Sequence, residues 1–400
     1  MKTAEKKEKK LGILGVALMY VSAIMGAGFA SGRETWQYFT VFGRDGYKGI
    51  IMIAFLFVAF GVTTSIIATR LKTAEMGRVI VPGNHPRLIA FIGYFVSLML
   101  FGVLVTISAA GGAMLHQQFG INRLVGGAVI VFLVIITVIG GFGRISGVFR
   151  YIMPFLVAIE IILCFATIFG DLLPAEASAE PEPSVLAPTW YTAAPLYISY
   201  NIMGVIPIVS TSSMHAKSTK HAILGTALGG LFLALLAFLL TTSMSADPGF
   251  SQAMDMPMLG FSKRLGPVFN CLFMVVLFAA MYAAATSNFY AATTVIKNSP
   301  AKNIKIVLLA ILGFLCGLIG FSNVIAYVFP IEGILGFFII AMLIVNFFKT
   351  GGFGRKNVCT EAETGTVATG TGTTATEKGT TGTGTKTESE SESESESESE

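Results

Sequence analysis

The sequence MGAGFASGRETW, residues 25–36, places glycines and charged residues inside an apolar segment that is long enough to cross a membrane. Gly26 and Gly28 allow the backbone to leave the helical conformation. Ser31 and Glu34 have the spacing of a capping box, in which each side chain bonds the backbone amide of the other residue. We therefore expect a helix break near Gly26 and a second half-helix from Ser31. The alternative is that the two glycines only allow neighbouring helices to pack closely.

A second interruption occurs in TWYTAAPLYISYNIMGVIPIVSTSS, residues 189–213, where Asn201, Gly204 and Pro207 lie in the middle of another apolar segment. We expect this helix to break too. Open backbone at membrane depth is tolerated only where it lines a cavity or is buried in protein. Paired interruptions in two halves of a chain therefore indicate a transporter binding site near the middle of the bilayer.

Glu160 is an ionisable residue in the middle of the apolar run FLVAIEIILC. Ionisable groups within a membrane are costly, and they are therefore often functional. Glu160 could carry a proton across part of the membrane, or it could be the fixed partner of a hydrogen bond between helices.

Other motifs argue against catalysis. Cys164, Cys271, Cys316 and Cys359 have neither the spacing of a metal site nor that of a disulfide framework. The sequence has no HExxH or GxSxG motif and no pair of intramembrane aspartates. It also has no basic run with interleaved aromatic residues, which nucleic-acid binding would favour. We predict a chain that is not an enzyme, with no cofactor and no nucleic-acid partner.

The elements that position these residues are membrane-spanning helices. Of the 400 residues only 12% are charged, against roughly 25% in globular domains. Apolar stretches of about 20 residues recur, and each is long enough to cross ~30 Å of hydrocarbon. We predict an all-α integral membrane protein with ten transmembrane helices. They cover residues 11–42, 49–69, 88–115, 121–143, 147–170, 189–213, 221–245, 266–296, 304–322 and 323–348.

Lysine and arginine residues predict the orientation, because basic residues near short loops stay in the cytoplasm. With the N-terminus inside, the outer segments hold only Arg44, Lys48, Arg123, Lys263 and Arg264. We predict a multi-pass protein of the bacterial cell membrane with both termini in the cytoplasm. A signal peptide at the lysine-rich start is the alternative for the first helix, but the apolar run is longer than a usual signal core.

The predicted helices form two halves of five, residues 11–170 and 189–348. Because five is odd, the second half enters from the opposite side, which makes an inverted repeat in which Gly204 corresponds to Gly26. The remaining segments are a basic N-terminus, an acidic outer loop and a disordered cytoplasmic tail rich in Thr/Gly and Ser/Glu. They cover residues 1–10, 171–188 and 349–400.

The run GAGFASGRETWQYF, residues 26–39, resembles the YkvI-like uncharacterised bacterial membrane proteins. The ten-helix arrangement is similar to the LeuT-like amino acid, polyamine and organocation transporters. This second resemblance implies that the first and sixth helices are both broken, with substrate held between them. It also often implies a sodium ion between the first and eighth helices.

The resemblance also assigns a substrate site. Gly26, Ala27 and Gly28 match the unwound part of the first helix, where free amides and the half-helix dipole would meet a substrate carboxylate. The counterparts in the sixth helix would be Tyr197, Asn201 and Gly204.

A sodium site follows from the same resemblance. Ala283, Thr286 and Ser287 of the eighth helix match its carbonyl-and-hydroxyl pattern, with the carbonyls of Ser22 and Met25 opposite. The alternative is that these hydroxyls only bond their own helix. Some relatives replace the sodium ion by a lysine in the fifth helix, and this chain has none there. Its absence favours coupling to sodium, or to protons through Glu160.

Arg33 and Glu332 resemble a gate pair of the LeuT-like proteins. Glu332 follows Pro330 in AYVFPIEGILG and resembles the carboxylate that faces a first-helix arginine across the outer vestibule. Glu34 competes as a partner, and Arg33 alone at the outer interface is the alternative.

These features together predict a secondary active transporter that works by alternating access. We expect a cation-coupled symporter for amino acids or related small organic solutes, with Na⁺ or H⁺ as the coupling ion. The expected partners are the small-molecule substrate and membrane lipids, with no obligate protein partner. The alternative is a membrane sensor or channel on the same fold.

Overall fold

The computed structural model describes residues 10–140, 146–170, 181–293, 296 and 300–352, excluding the side chains of residues 146–152. Nearly all of the predicted basic N-terminus, residues 171–180 of the acidic loop and the tail from residue 353 lie outside the described residues. The described chain folds into α-helices joined by short loops, and its α-helices are numbered α1 to α16. Their bounds are Ile13–Ile24, Ala27–Ala30, Arg33–Tyr38, Gly46–Leu71, Met76–Ile80, Pro86–Phe119, Arg123–Gly140, Ser146–Phe169, Trp190–Met214, Thr219–Met244, Pro248–Ala253, Pro257–Arg264, Pro267–Thr293, Lys302–Gly317, Phe321–Asn323 and Phe329–Lys349.

Among the residues that the structure describes, seven helical segments are long and apolar enough, by length and composition, to cross a membrane. Two shorter apolar helices, Ile13–Ile24 and Met153–Phe169, lie where the first and fifth spans are predicted. The 16-residue helix α14 overlaps the predicted ninth span, from residue 304 to Gly317. The structure thus shows an all-helical chain with several candidate spans, and the count of ten stays a prediction.

The first predicted span is broken, as the sequence predicts. Helix α1 ends at Ile24, α2 covers only Ala27–Ala30, and α3 begins at Arg33.

The sixth predicted span is not broken, and that prediction was wrong: α9 is continuous from Trp190 to Met214 with Pro207 inside it. A proline removes one helical hydrogen bond and kinks a helix without having to end it. Polar side chains near Pro207 also bond carbonyls within the helix. Asn201, for example, donates from Nδ2 to the Tyr197 carbonyl at 2.9 Å.

The core of the bundle is formed by helices from both halves of the chain. Helix α1 packs against α10, and α9 packs against α4, so the first helix of each half contacts the second helix of the other. An inverted repeat requires this exchange, but the repeat itself stays a prediction. Glycines of α10 permit the close approach: Gly225 and Gly229 face Val16 and Tyr20 of α1, where an added Cβ would collide with the side chain.

Two short helices, α11 and α12, join α10 to α13 at the end of the bundle that the charge pattern predicts to be outside. Neither helix was predicted from the sequence. Both begin with proline, Pro248 and Pro257, which is favoured in the first turn of a helix. Gln117 of α6 holds the segment through two bonds of 2.9 Å, one to the Met256 carbonyl and one from the Met256 amide.

Candidate functional site

The break in the first span is a tight turn centred on Met25. Met25 has φ −66° and ψ 65°, and the Gly26 amide donates to the Ile24 carbonyl at 2.6 Å. These are the features of an inverse γ-turn. Gly26 is extended, at φ −93° and ψ −170°, a conformation that any residue can adopt. A second interruption follows at Gly32, whose φ of 81° favours glycine.

The predicted capping box does not form, which corrects the proposed role of Ser31. Ser31 lies at the C-terminal end of α2 instead of capping α3, and its hydroxyl donates to the Gly28 carbonyl at 3.2 Å. Gly32 is the residue that precedes α3. Since Gly32 brings the chain into a left-handed conformation, Ser31 and Glu34 do not share one helical turn.

Glu34 instead turns its carboxylate toward α9. Tyr200 donates a hydrogen bond of 2.7 Å to Glu34 Oε2, and Glu34 is almost completely buried. The same carboxylate lies against Gly28, because a Cβ added at Gly28 would overlap Glu34 Oε1. A carboxylate of the protein therefore occupies the surroundings of Gly28, where the resemblance implied a substrate carboxylate.

Aromatic rings pack around Tyr200, the residue that bonds this carboxylate. The ring centroids of Tyr38, Tyr197 and Tyr200 are 5.3 to 5.7 Å apart in each pair. Phe329 of α16 packs on Tyr200 with centroids 4.6 Å apart. Tyr38 is fully buried, and its hydroxyl has no hydrogen-bond partner in the described part of the chain.

Glu332 adds a second acidic group to this site. It lies one turn after Phe329 on α16, and a Cβ added at Gly102 of α6 would overlap its Oε1. Glu332 interacts electrostatically with Glu34 and with Tyr38. Within the described ranges, neither carboxylate forms an ion pair. We call Glu34, Tyr38, Tyr197, Tyr200 and Glu332 the acidic tyrosine cluster.

Open space lies next to two of the predicted substrate residues. A Cβ on Gly204 would meet nothing within 4 Å, and one on Gly26 would meet only the Ile24 carbonyl, at 3.8 Å. Gly26 precedes Gly28 by two residues, and Gly204 follows Tyr200 by one helical turn. Both spaces therefore adjoin the elements that hold the Glu34 carboxylate. Ala27 is buried.

Arg33 is not paired with Glu332 in this structure, contrary to the predicted gate. Its Nη1 donates to the carbonyls of Gln252 and Met254, at 3.2 and 3.0 Å, in the segment between α10 and α13. The residue surface of Arg33 is only 7% exposed, so in this structure its side chain does not lie alone at the outer interface. Because the guanidinium already bonds these two main-chain carbonyls, a gate between Arg33 and Glu332 would require Arg33 to break those bonds.

The predicted sodium ligands are only partly buried. Thr286 is buried and donates to the Tyr282 carbonyl at 2.7 Å, while Ser22 donates to the Met19 carbonyl at 2.8 Å. A hydroxyl that donates its proton keeps two lone pairs for a cation, so these bonds fit both alternatives. Ser287 is exposed, whereas Ala283 is buried. The sodium assignment stays a prediction.

Glu160 is fully buried in α8, and both of its carboxylate oxygens have no hydrogen-bond partner among the described residues. The structure therefore does not show the fixed hydrogen bond between helices that was the alternative to a proton role.

The described residues also contain no group of three or more His, Cys, Asp or Glu that could hold a metal ion.

Comparison with known proteins supports the fold and the homology. No family model matches the sequence. The chain is homologous to two uncharacterised proteins of Bacillus subtilis strain 168: the membrane protein YkvI, 23% identical over 82% of this chain and 94% of YkvI, and YyaD, 21% identical over 82% and 95%.

Among solved structures, the inward-facing conformation of Mhp1 matches with a TM-score of 0.61 at 15% identity, over 85% of this chain and 77% of Mhp1. The chain has the LeuT-like fold. MhsT in complex with L-phenylalanine matches with a TM-score of 0.50 at 15% identity, over 86% of this chain and 97% of MhsT. A manganese transporter of Eremococcus coleocola matches with a TM-score of 0.50 at 15% identity, over 84% of this chain and 78% of the transporter. The LeuT-like fold is found here in transporters, which are not enzymes, in agreement with the prediction that this chain is not an enzyme.

Proposed function

We propose that this chain is a secondary active transporter, which carries a small organic solute together with a coupling cation by alternating access. The observation that carries the proposal is the break at Met25 and Gly26, which lies beside open space and next to the buried Glu34 carboxylate. Irregular backbone at membrane depth is expected where it is buried in protein or lines a cavity such as a substrate path.

Contacts that close the predicted outer side support alternating access. On that side, the Met258 amide donates to the Ser31 carbonyl at 3.0 Å, and Arg33 bonds the same segment. Gly26 and Gly204, in the middle of the first and sixth predicted spans, border open space. A closed outer side is a feature of one of the two states that alternating access needs, and the matched structure of Mhp1 is inward-facing.

Two sites are candidates for the coupling cation. A sodium ion would bind the carbonyls of Ser22, Met25 and Ala283 with the hydroxyls of Thr286 and Ser287. A proton would bind Glu160, whose carboxylate lacks other partners within the described structure.

Uptake into proteoliposomes tests this proposal. Radiolabelled amines, amino acids and nucleobases are offered with an inward sodium gradient, with an inward proton gradient and with neither. Accumulation above the equilibrium level that needs one of the gradients is expected. Equilibration without accumulation would indicate a channel, and binding without flux would indicate a sensor.

A further inference from the structure

We infer that the substrate is an amine, whose ammonium group binds in the acidic tyrosine cluster between Glu34 and Glu332. This inference rests on the proposed transport function and specifies its substrate class. It differs from the expectation of a substrate recognised by its carboxylate at Gly26, Ala27 and Gly28.

The first step is the charge of the cluster. Glu34 is 5% exposed, and Glu332 interacts with it electrostatically. Arg33, the basic residue next to Glu34 in sequence, directs its guanidinium to the carbonyls of Gln252 and Met254. Glu332 is partly buried, and neither carboxylate has a basic partner among the described residues. Carboxylates in such a site are stabilised by taking up a proton or by binding a cation. The cluster therefore favours a positive group over a negative one.

The second step is the unsuitability of the glycine turn for an anion. Helix α2 has four residues, so its dipole is small. The Glu34 carboxylate also already lies against Gly28. A substrate carboxylate at this place would meet a like charge in a buried environment, which disfavours binding.

The third step is the chemistry of the rings. The face of a tyrosine ring attracts an ammonium group within about 6 Å of its centroid. The rings of Tyr38, Tyr197 and Tyr200 pack on one another, and Tyr200 bonds the Glu34 carboxylate. The Tyr38 hydroxyl has no partner in the part of the chain that the structure describes, and it can accept a hydrogen bond from an ammonium group. An organic ammonium satisfies the carboxylates, the rings and this hydroxyl together.

The fourth step is the room for the remainder of the substrate. The spaces beside Gly26 and Gly204 adjoin the elements that carry Glu34 and Tyr200. In this structure the three rings contact one another, so a bound amine has to separate them. Movement of α3 and α16 relative to α9, as in alternating access, would do so.

The test is binding to the purified full-length protein in detergent, measured by thermal shift and by titration calorimetry. The probes are phenylethylamine with its acid counterpart 3-phenylpropionate, butylamine with butyrate, and phenylalanine, which carries both charged groups. Sodium chloride and manganese chloride are separate arms. We expect at least one amine to bind and both acids to fail.

The variants Glu34→Gln and Glu332→Gln keep the size of the side chain and remove its charge. Each should weaken amine binding by about tenfold or more, as expected when one partner of a buried charge pair is lost. The control Glu75→Gln removes an exposed carboxylate that pairs with Arg78 at 2.9 Å, and it should bind amines like the parent. A monodisperse elution profile shows that each variant is folded.

Four results would overturn the inference. They are binding of none of the amines, binding of an acid or of phenylalanine at least as tight as that of the best amine, amine binding unchanged in both glutamine variants, and a metal ion that alone occupies the cluster. Failure of the transport proposal is distinct, since amines would then bind with the expected glutamate dependence but would not accumulate in proteoliposomes.

Discussion

Tyr200 and Glu34 are joined by a hydrogen bond of 2.7 Å, although 166 residues separate them in the sequence. The bond links α9 to the short helix that follows the break in the first span. It fixes the Glu34 carboxylate beside Gly28. The position of this carboxylate determines which charge the centre of the bundle accepts.

Replacing Tyr200 by phenylalanine tests this link. Tyr200→Phe leaves a buried carboxylate oxygen without its donor, which should lower the free energy of unfolding by about 1–3 kcal/mol. Thermal unfolding of the purified protein measures the change. Tyr94→Phe, at an exposed tyrosine of α6, should unfold like the parent. Equal unfolding temperatures for Tyr200→Phe and the parent would show that the bond contributes nothing.

The two glycines of the turn should respond differently to alanine. A Cβ at Gly28 overlaps the Glu34 carboxylate, whereas a Cβ at Gly26 meets only one carbonyl, at 3.8 Å, in a backbone conformation open to any residue. Gly28→Ala should cost about 1–3 kcal/mol of stability through overpacking, and Gly26→Ala much less. Thermal unfolding compares the two, and the reverse order would contradict the placement of Glu34.

The segment between α10 and α13 should separate from α3 more often when its bond to Trp36 is removed. Trp36 Nε1 donates to Gln252 Oε1 at 2.7 Å, and a buried hydrogen bond contributes about 1 kcal/mol, which corresponds to a factor of about five. In a chain with its four cysteines replaced, Thr35→Cys reports access to α3. Gln252→Ala should raise its maleimide labelling rate about fivefold.

Gln118→Ala, at the same end of α6, is the control and should not change this rate. An unchanged rate in Gln252→Ala would mean that the side-chain bond does not hold the segment closed.

The sodium hypothesis predicts stabilisation by NaCl relative to KCl at equal ionic strength. Thr286→Ala with Ser287→Ala removes two oxygen ligands and should abolish the difference in unfolding temperature. Thr293→Ala is a matched control, since Thr293 is also on α13 and bonds a carbonyl of its own helix. If the parent itself shows no difference between the salts, the sodium site is wrong.

Proton coupling through Glu160 predicts a separate loss. Glu160→Gln cannot release a proton, so uptake of a bound amine driven by an inward proton gradient should fall to the level seen without a gradient. Counterflow exchange of the same amine, which needs no net proton movement, should continue. A Glu160→Gln protein that still accumulates substrate with the proton gradient would exclude this role.

The sequence predicted the parts of the fold that local patterns determine. An apolar segment longer than the membrane is thick must tilt or break, and the glycines predicted where the break occurs. The observed turn is accordingly next to Gly26. The break of α9 was predicted wrongly, because Gly204 and Pro207 permit an interruption that packing against α4 and α16 does not require.

The role of Glu34 was missed for a different reason. Its spacing from Ser31 fits a capping box, and only the left-handed conformation of Gly32 turns it toward α9. Tyr197 and Tyr200 are three residues apart, which places them on neighbouring parts of one helix face. This spacing was the sequence pattern from which the two neighbouring tyrosine rings could have been predicted. Their contact with Glu34 and Glu332 joins distant parts of the chain, which local spacing does not encode.

The partners of the first span also have a consequence for biosynthesis. Arg33 and Glu34 leave the ribosome long before Tyr200, Gln252 and Met254, which supply their hydrogen bonds. A charged residue at the centre of a lone helix costs about 2.5–3.5 kcal/mol on insertion scales. The nascent first span is therefore less stable at its final depth before these partners are made. We expect its second part to reach that depth only once the second half of the chain is synthesised.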